Sequence, residues 1–147
     1  MFTQLFVRER FSMSEELDLA HVVMQWVEKA EHDLLNVQNN LSASDVPWDT
    51  VCFHAQQCVE KDLKALLIWK QVSVPKTHDL RLLLQRIPPD VPLNLPLDQL
   101  LLLNRYTIEG RYPGDWEPIT RQDGEQAITM ARKVREAVRP ILTITAE

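Results

Sequence analysis

The segment 53–67 constrains the fold more than any other part of this 147-residue chain. It contains neither Gly nor Pro and is rich in residues that favour an α-helix. Apolar side chains recur in and beside it at helical spacing, which predicts that one side of the helix is buried. These residues are Cys52, Ala55, Val59, Leu63, Leu66 and Leu67. The pattern therefore predicts a core helix against which the other elements pack.

The same helix carries a polar strip, formed by His54, Gln57, Lys61 and Lys64. At about 100° per residue, these four side chains lie within roughly 80° of one another. One interpretation is a solvated face held by pairs four residues apart, such as Gln57–Lys61 and Glu60–Lys64. The other interpretation is a row of hydrogen-bond donors for an anionic ligand.

Helical periodicity also dominates the rest of the chain. We predict a first helix over 14–40, a second over 49–70 and a short third over 78–87 with Thr77 as its N-cap. A fourth helix is predicted to start at 96 or 97 and end between 106 and 110, and Thr120 is predicted to cap a fifth. No segment alternates in the manner of a β-strand. The expected fold is all-α, an antiparallel up-down bundle of four main helices plus a short extra helix.

Length and composition indicate one domain with an ordinary core, since 45% of the residues are hydrophobic and 25% are charged. We expect residues 1–13 to be a flexible N-terminal extension and 14–147 to be a single domain, with Met13 as an alternative start to Met1. No apolar run approaches the length of a membrane span. Residues 1–11 also lack the continuous apolar region of a signal peptide. We therefore expect a cytoplasmic protein.

The net charge of −5 argues against a generic nucleic-acid-binding protein, but the charge is unevenly distributed. Residues 1–60 hold three Lys and Arg against ten Asp and Glu, whereas residues 61–147 hold thirteen against eleven. A local basic patch is compatible with this distribution. The two cysteines, Cys52 and Cys58, point to different sides of one helix and cannot form a disulfide with each other. They also lack metal-site spacing, so we predict buried thiols, no metal site and no cofactor.

The segment 104–116 combines two arginines with three aromatic residues. The guanidinium groups of Arg105 and Arg111 can bind phosphate through paired hydrogen bonds, and aromatic side chains can stack on bases. Composition alone favours the plainer interpretation, a structured loop anchored by Tyr112 and Trp116. Nearby, His78 and Asp79 do not form a convincing acid–base pair, because adjacent residues on a helix do not face each other.

Several stretches together resemble the HEPN domain family, named for nucleotide binding in higher eukaryotes and prokaryotes. The string Phe53-His54-Ala55-Gln56-Gln57, then Glu60-Lys61 and Lys64-Ala65-Leu66-Leu67, is similar to the family's signature helix. The segments Pro75–Leu80 and Arg111-Tyr112-Pro113 match two later family motifs in the right order. The resemblance covers roughly residues 17–138. It implies the helical bundle expected above and a homodimer.

The resemblance also bears on catalysis. HEPN ribonucleases carry an Arg and a His with four to six residues between them, and that His assists RNA cleavage. Here Arg105 is followed by Arg111 at the corresponding position. Arginine does not release its proton near neutral pH and cannot replace His as a general base. We therefore expect a protein without this catalytic activity, in which Tyr112 keeps its place after the motif.

By resemblance, the function expected is that of a nucleotide- or RNA-associated HEPN protein. It would be a non-catalytic partner of a minimal nucleotidyltransferase in a two-component system of the toxin–antitoxin type. The ligand would be bound by a set of six residues: His54, Lys61, Lys64, Arg105, Arg111 and Tyr112. Two alternatives remain open at this point. One is a metal-independent endoribonuclease, and the other is a helical protein-interaction scaffold without a ligand.

Overall fold

The computed structural model describes residues 12–107 and 117–143. These residues form five α-helices: α1 (Met13–Leu41), α2 (Trp48–Trp69), α3 (Leu80–Arg86), α4 (Leu97–Leu101) and α5 (Arg121–Val138). Two 3-10 helices, Leu102–Tyr106 and Arg139–Ile141, follow α4 and α5 directly. Neither described range contains a β-strand. The predicted all-α fold is confirmed.

Helix α2 is the centre of the molecule, as its sequence predicts. It packs against α1, α5, α3 and the first 3-10 helix. The six-residue connection 42–47 between the two long helices makes α1 and α2 antiparallel neighbours. The core has at its centre a set of fully buried leucines: Leu63, Leu66, Leu67, Leu80, Leu83 and Leu100. Burying each such side chain contributes about 1.5–3 kcal/mol.

Side-chain caps fix the starts of α1, α3 and α5, whereas α2 and α4 each follow a proline and have no side-chain cap. Ser12 caps α1 in a capping box with Glu15, and Thr120, the predicted cap, does the same for α5 with Asp123. The third helix begins later than predicted. Asp79 is its N-cap and accepts a hydrogen bond from the Arg81 backbone N–H at 2.9 Å, while Thr77 accepts one from the backbone N–H of Asp79. Thr77 and Asp79 are both suited to cap this turn, and the helix starts after Asp79.

The fourth predicted helix is only partly α-helical. Five residues of α4 continue as a 3-10 helix that ends at Tyr106, within the predicted range. The tighter 3-10 form is common in short pieces at helix ends. Arg105 and Tyr106 are the last two residues of this piece.

A partly buried ionic cluster holds the C-terminal end of α5 to the other two long helices. The Arg139 guanidinium donates to Asp62 Oδ1 of α2 at 3.0 Å and to Glu31 Oε1 of α1 at 2.5 Å. Arg135 donates to the same Glu31 oxygen at 2.7 Å. Since Asp62 is fully buried, this cluster fixes how α5 meets α1 and α2. None of the helices in the described ranges combines the length and apolar character needed to cross a membrane.

Candidate functional site

The polar strip of His54, Gln57, Lys61 and Lys64 exists as predicted, but its charges are paired within the protein. The strip lies along α2, with α1 on one side and the segment around His78 on the other. Each basic residue of the strip has a carboxylate partner. The strip is therefore neither a simple solvated face nor a row of unpaired hydrogen-bond donors.

Asp33 of α1 organises one end of the strip. Its carboxylate lies 2.9 Å from His54 Nδ1 and 2.5 Å from Lys61 Nζ, one partner at each oxygen. Asp33 is buried, while the His54 and Lys61 side chains are each 22% exposed. The arrangement neutralises Lys61 and leaves the edges of both basic side chains accessible to solvent. It also fixes the lateral position of α1 on α2.

Glu60 organises the other end. Its carboxylate contacts Lys64 Nζ at 2.9 Å and His78 Nδ1 at 2.9 Å, and Gln56 donates to the His78 backbone carbonyl at 3.1 Å. Lys64 also lies over the indole of Trp26 in α1, 5.4 Å from the ring centroid. Lys64 is itself buried. The contacts join α1, α2 and the segment before α3, and they account for His78 without involving its neighbour Asp79.

Arg105 occupies a different part of the molecule. Its Nη2 donates to Asp123 Oδ1 at 2.7 Å and to the Tyr106 hydroxyl at 2.8 Å, and its guanidinium lies 4.9 Å from the centroid of the Tyr106 ring. Half of the side chain is exposed. The pKa of Asp123 is lowered, first by the Thr120 backbone N–H and also by Arg105. Burial raises the pKa of Tyr106 to about 12, so its hydroxyl stays protonated.

The structure separates Arg105 from the polar strip. The Cys52 thiol of α2 lies beside the Tyr106 hydroxyl, which accepts a hydrogen bond from Arg105. His54 follows two residues later, about 200° further around the helix, where it meets Asp33. Lys61 faces the same way as His54. His54 is therefore not the histidine that would complete a ribonuclease pair with Arg105.

Of the six predicted ligand-binding residues, the structure brings together His54, Lys61 and Lys64 and places Arg105 apart from them. Arg111 and Tyr112 lie outside the described residues. Three carboxylates organise both regions, and the sequence identifies Glu60 as a partner of Lys64 but does not single out Asp33 or Asp123. Each of them pairs with a basic residue, and the contacts of Asp33 and Asp123 join elements far apart in the chain. A buried acidic residue on an apolar helix face, as at Asp33 and Glu60, is the available sequence signal.

Cysteines and metal-binding groups add no further chemistry to this region. Both Cys52 and Cys58 are buried free thiols, as predicted. Burial raises the pKa of Cys52 to about 11 and that of Cys58 further, so neither is a reactive thiolate. Within 12–107 and 117–143, no group of three or more His, Cys, Asp and Glu side chains is arranged to hold a metal ion.

Comparisons with known proteins agree with the geometry. The family model described as HEPN domain matches residues 23–141. The crystal structure of an archaeal HEPN homologue is 25% identical, with a TM-score of 0.65, and the match covers 82% of this chain and 97% of the other. A crystal structure from Thermus thermophilus is 30% identical, with a TM-score of 0.68, covering 80% of this chain and 96% of the other. A search of curated proteins finds no match.

The family match includes the whole of α2 with its polar strip, the Asp33 and Glu60 carboxylates that partner the strip, and Arg105. The two solved structures extend the agreement to the backbone over about four-fifths of the chain. This chain therefore belongs to the HEPN domain family.

Proposed function

We propose that the chain is a non-catalytic HEPN protein that binds the phosphate of a nucleotide or RNA and acts with a minimal nucleotidyltransferase. Its setting would be the cytoplasm, in a two-component system of the toxin–antitoxin type. The observation that carries the proposal is the half-exposed guanidinium of Arg105, which is positioned by hydrogen bonds to Asp123 and Tyr106. The contacts fix its direction without burying it. A fixed, exposed guanidinium suits phosphate because little side-chain order is lost on binding.

The surroundings of Arg105 favour binding over catalysis. Its described partners are a carboxylate already used in a helix cap and a tyrosine whose pKa is raised. Neither group is suited to accept a proton from an attacking hydroxyl near neutral pH. His54, the residue that would have supported the endoribonuclease alternative, meets Asp33 on another side of α2. Among the described residues, the contacts of Arg105 therefore support a ligand held by its guanidinium and include no general base.

In this proposal Arg111 and Tyr112, which follow Arg105 in sequence, complete the phosphate site. Lys61, Lys64 and His54 have a supporting role, because the two lysine side chains are only 22% and 9% exposed, whereas half of the Arg105 side chain is exposed. Their pairs join α1, α2 and the segment before α3. The scaffold alternative would give the same packing with no ligand at Arg105.

Binding of a fluorescent single-stranded RNA at low salt tests the proposal. Replacing Arg105 with Ala removes a charge-assisted contact, so we expect affinity to fall by about tenfold or more. The matched control is Arg81→Ala, since Arg81 is an exposed arginine that is also paired with a carboxylate, Asp79. The control variant should bind like the wild type. Equal affinity of wild type and Arg105→Ala would overturn the assignment of Arg105.

We also propose a homodimer that uses the outer side of α1. Five large apolar side chains on this helix are exposed, and four of them share one side: Met13, Leu17, Met24 and Leu35. At about 100° per residue they fall within roughly 40° of one another, which makes a narrow apolar stripe along the helix. Such a stripe is suited to pairing with the same stripe of a second copy about a two-fold axis.

A further inference from the structure

A second cleft lies away from Arg105, where the end of α1 and the start of α2 meet the first half of α5. Its volume is about 460 Å³, within the range of ~300–1,000 Å³ typical of small-molecule sites. The lining residues are Leu41, Val46, Trp48, Arg121, Glu125, Ile128, Thr129 and Arg132. Leu41, Val46 and Ile128 make it apolar at its base, where they pack on a small core cluster around Val37 and Val51.

The aromatic wall of the cleft is Trp48, whose indole position is set by Gly124. The ring lies directly against the α5 backbone at this glycine, and a Cβ there would collide with it. Gly124 is buried and sits inside a helix, where glycine otherwise costs about 1 kcal/mol relative to Ala. The close approach holds the indole where α2 starts. Trp48 thus has a fixed position and still lines the cleft.

The charged rim is formed by Arg121 and Arg132 on one face of α5. Eleven residues apart, they differ by about 20° around the helix axis. Arg121 is paired with Glu125 at 2.8 Å. Arg132 is exposed and forms no ion pair or side-chain hydrogen bond with any residue of the described ranges. Among the residues that the structure describes, one guanidinium is therefore unpaired beside an aromatic wall and an apolar base.

We propose that this cleft binds a planar aromatic group that carries an anionic substituent, the chemistry of a nucleoside monophosphate. The ring stacks on Trp48 above the apolar base, and Arg132 receives the anionic group. Stacking of a base on an aromatic side chain contributes about 1–3 kcal/mol. Asp123, the partner of Arg105, faces about 160–200° away from Arg121 and Arg132 around α5. The cleft is thus distinct from Arg105 and does not depend on the function proposed for it.

Titration of the full-length, isotope-labelled protein with adenosine monophosphate tests the cleft, read from the indole N–H signal of Trp48 in NMR spectra. A Trp48→Phe variant identifies that signal. We expect adenosine monophosphate to shift it in a saturable manner at millimolar concentration. Adenosine and inorganic phosphate, each lacking one half of the ligand, should bind at least about tenfold more weakly. No saturable shift with adenosine monophosphate would overturn the proposal.

Two variants of neighbouring residues give the matched control. Arg132→Glu should weaken adenosine monophosphate binding by about tenfold or more. Lys133→Glu makes the same change of charge about 100° around the helix and should have little effect. Equal loss in both variants would show that only overall charge matters and would refute the site. Arg105→Ala should leave the Trp48 response unchanged, which separates this proposal from the one for Arg105.

The same signal distinguishes the two sources of such a ligand. If a short single-stranded RNA competes with adenosine monophosphate for Trp48, the cleft takes one nucleotide of a chain. If it does not compete, the cleft takes the free nucleotide. Either outcome is consistent with the proposed site. A Trp48 signal that does not shift with any phosphate-bearing probe would contradict it.

Discussion

Asp62 is the residue whose burial has the clearest consequence for pH. Burial raises its pKa from 3.8 to about 6, against the opposing effect of Arg139. Because the folded protein holds this proton more tightly than the unfolded chain, the residue's contribution to stability is complete below about pH 4. The contribution is lost as the pH rises through about 6. Ionised Asp62 therefore destabilises the folded state, and the ion pair with Arg139 offsets only part of this effect.

The corresponding prediction compares wild type with Asp62→Asn by chemical unfolding across pH. The free energy of unfolding of wild type, relative to the variant, should fall by about 2 kcal/mol between about pH 4 and about pH 7. Subtracting the variant cancels the carboxylates that lie outside the cluster of Asp62, Glu31 and Arg139. A difference that stays constant with pH would contradict the assignment.

Asp33 is the residue on which one end of the polar strip depends. Replacing it with Ala leaves Lys61 and His54 partly buried without their shared carboxylate. We expect the free energy of unfolding to fall by about 2 kcal/mol, since removing one partner leaves the others unsatisfied. Asp18→Ala on the same helix is the control, because Asp18 is more exposed and forms no described ion pair. A loss no larger than the control's would mean that the pairs do not hold α1 on α2.

At the scale of elements, the sequence predicts the helices well but does not predict which side chains of neighbouring helices contact each other. The apolar spacing of α1 and α2 predicts the buried sides of both, and Thr120 is correctly identified as a cap. The start of α3 was wrong by two residues because Thr77 and Asp79 are both good caps within one turn. Contacts such as Asp33–Lys61 depend on the rotation of one helix against another, which periodicity alone does not give.

The Trp48–Gly124 contact is another such case. A single glycine inside a helical pattern signals a close approach, yet it does not identify the approaching residue. Gly124→Ala should destabilise the protein by about 1–2 kcal/mol, because the collision with the indole outweighs the better helix propensity of Ala. In a Trp48→Ala background the same change should instead stabilise it by about 1 kcal/mol. Thermal unfolding of the wild type, the two single variants and the double variant measures both effects. If Gly124→Ala changed the stability in the same direction with and without Trp48, the account would be refuted.

For the whole molecule, the exposed stripe on α1 predicts assembly. Light scattering at micromolar concentration should give twice the 17.1 kDa mass of the chain. Charged residues in the stripe, introduced as Leu17→Glu with Met24→Glu, should shift the protein towards the monomer without loss of helical signal. Glutamate in place of exposed Val22, which points to another side of α1, is the control. A wild-type protein of 17.1 kDa would rule out the dimer.

The central claim for the whole molecule is that it holds phosphate without cutting RNA. The most direct measurement is the length of a labelled single-stranded RNA recovered after prolonged incubation with the protein at low salt and with a metal chelator. The account predicts that the wild type binds the RNA and returns it at full length, and that Arg105→Ala binds it less. RNA shortened by the wild type and left intact by Arg105→Ala would contradict the account and establish a metal-independent ribonuclease.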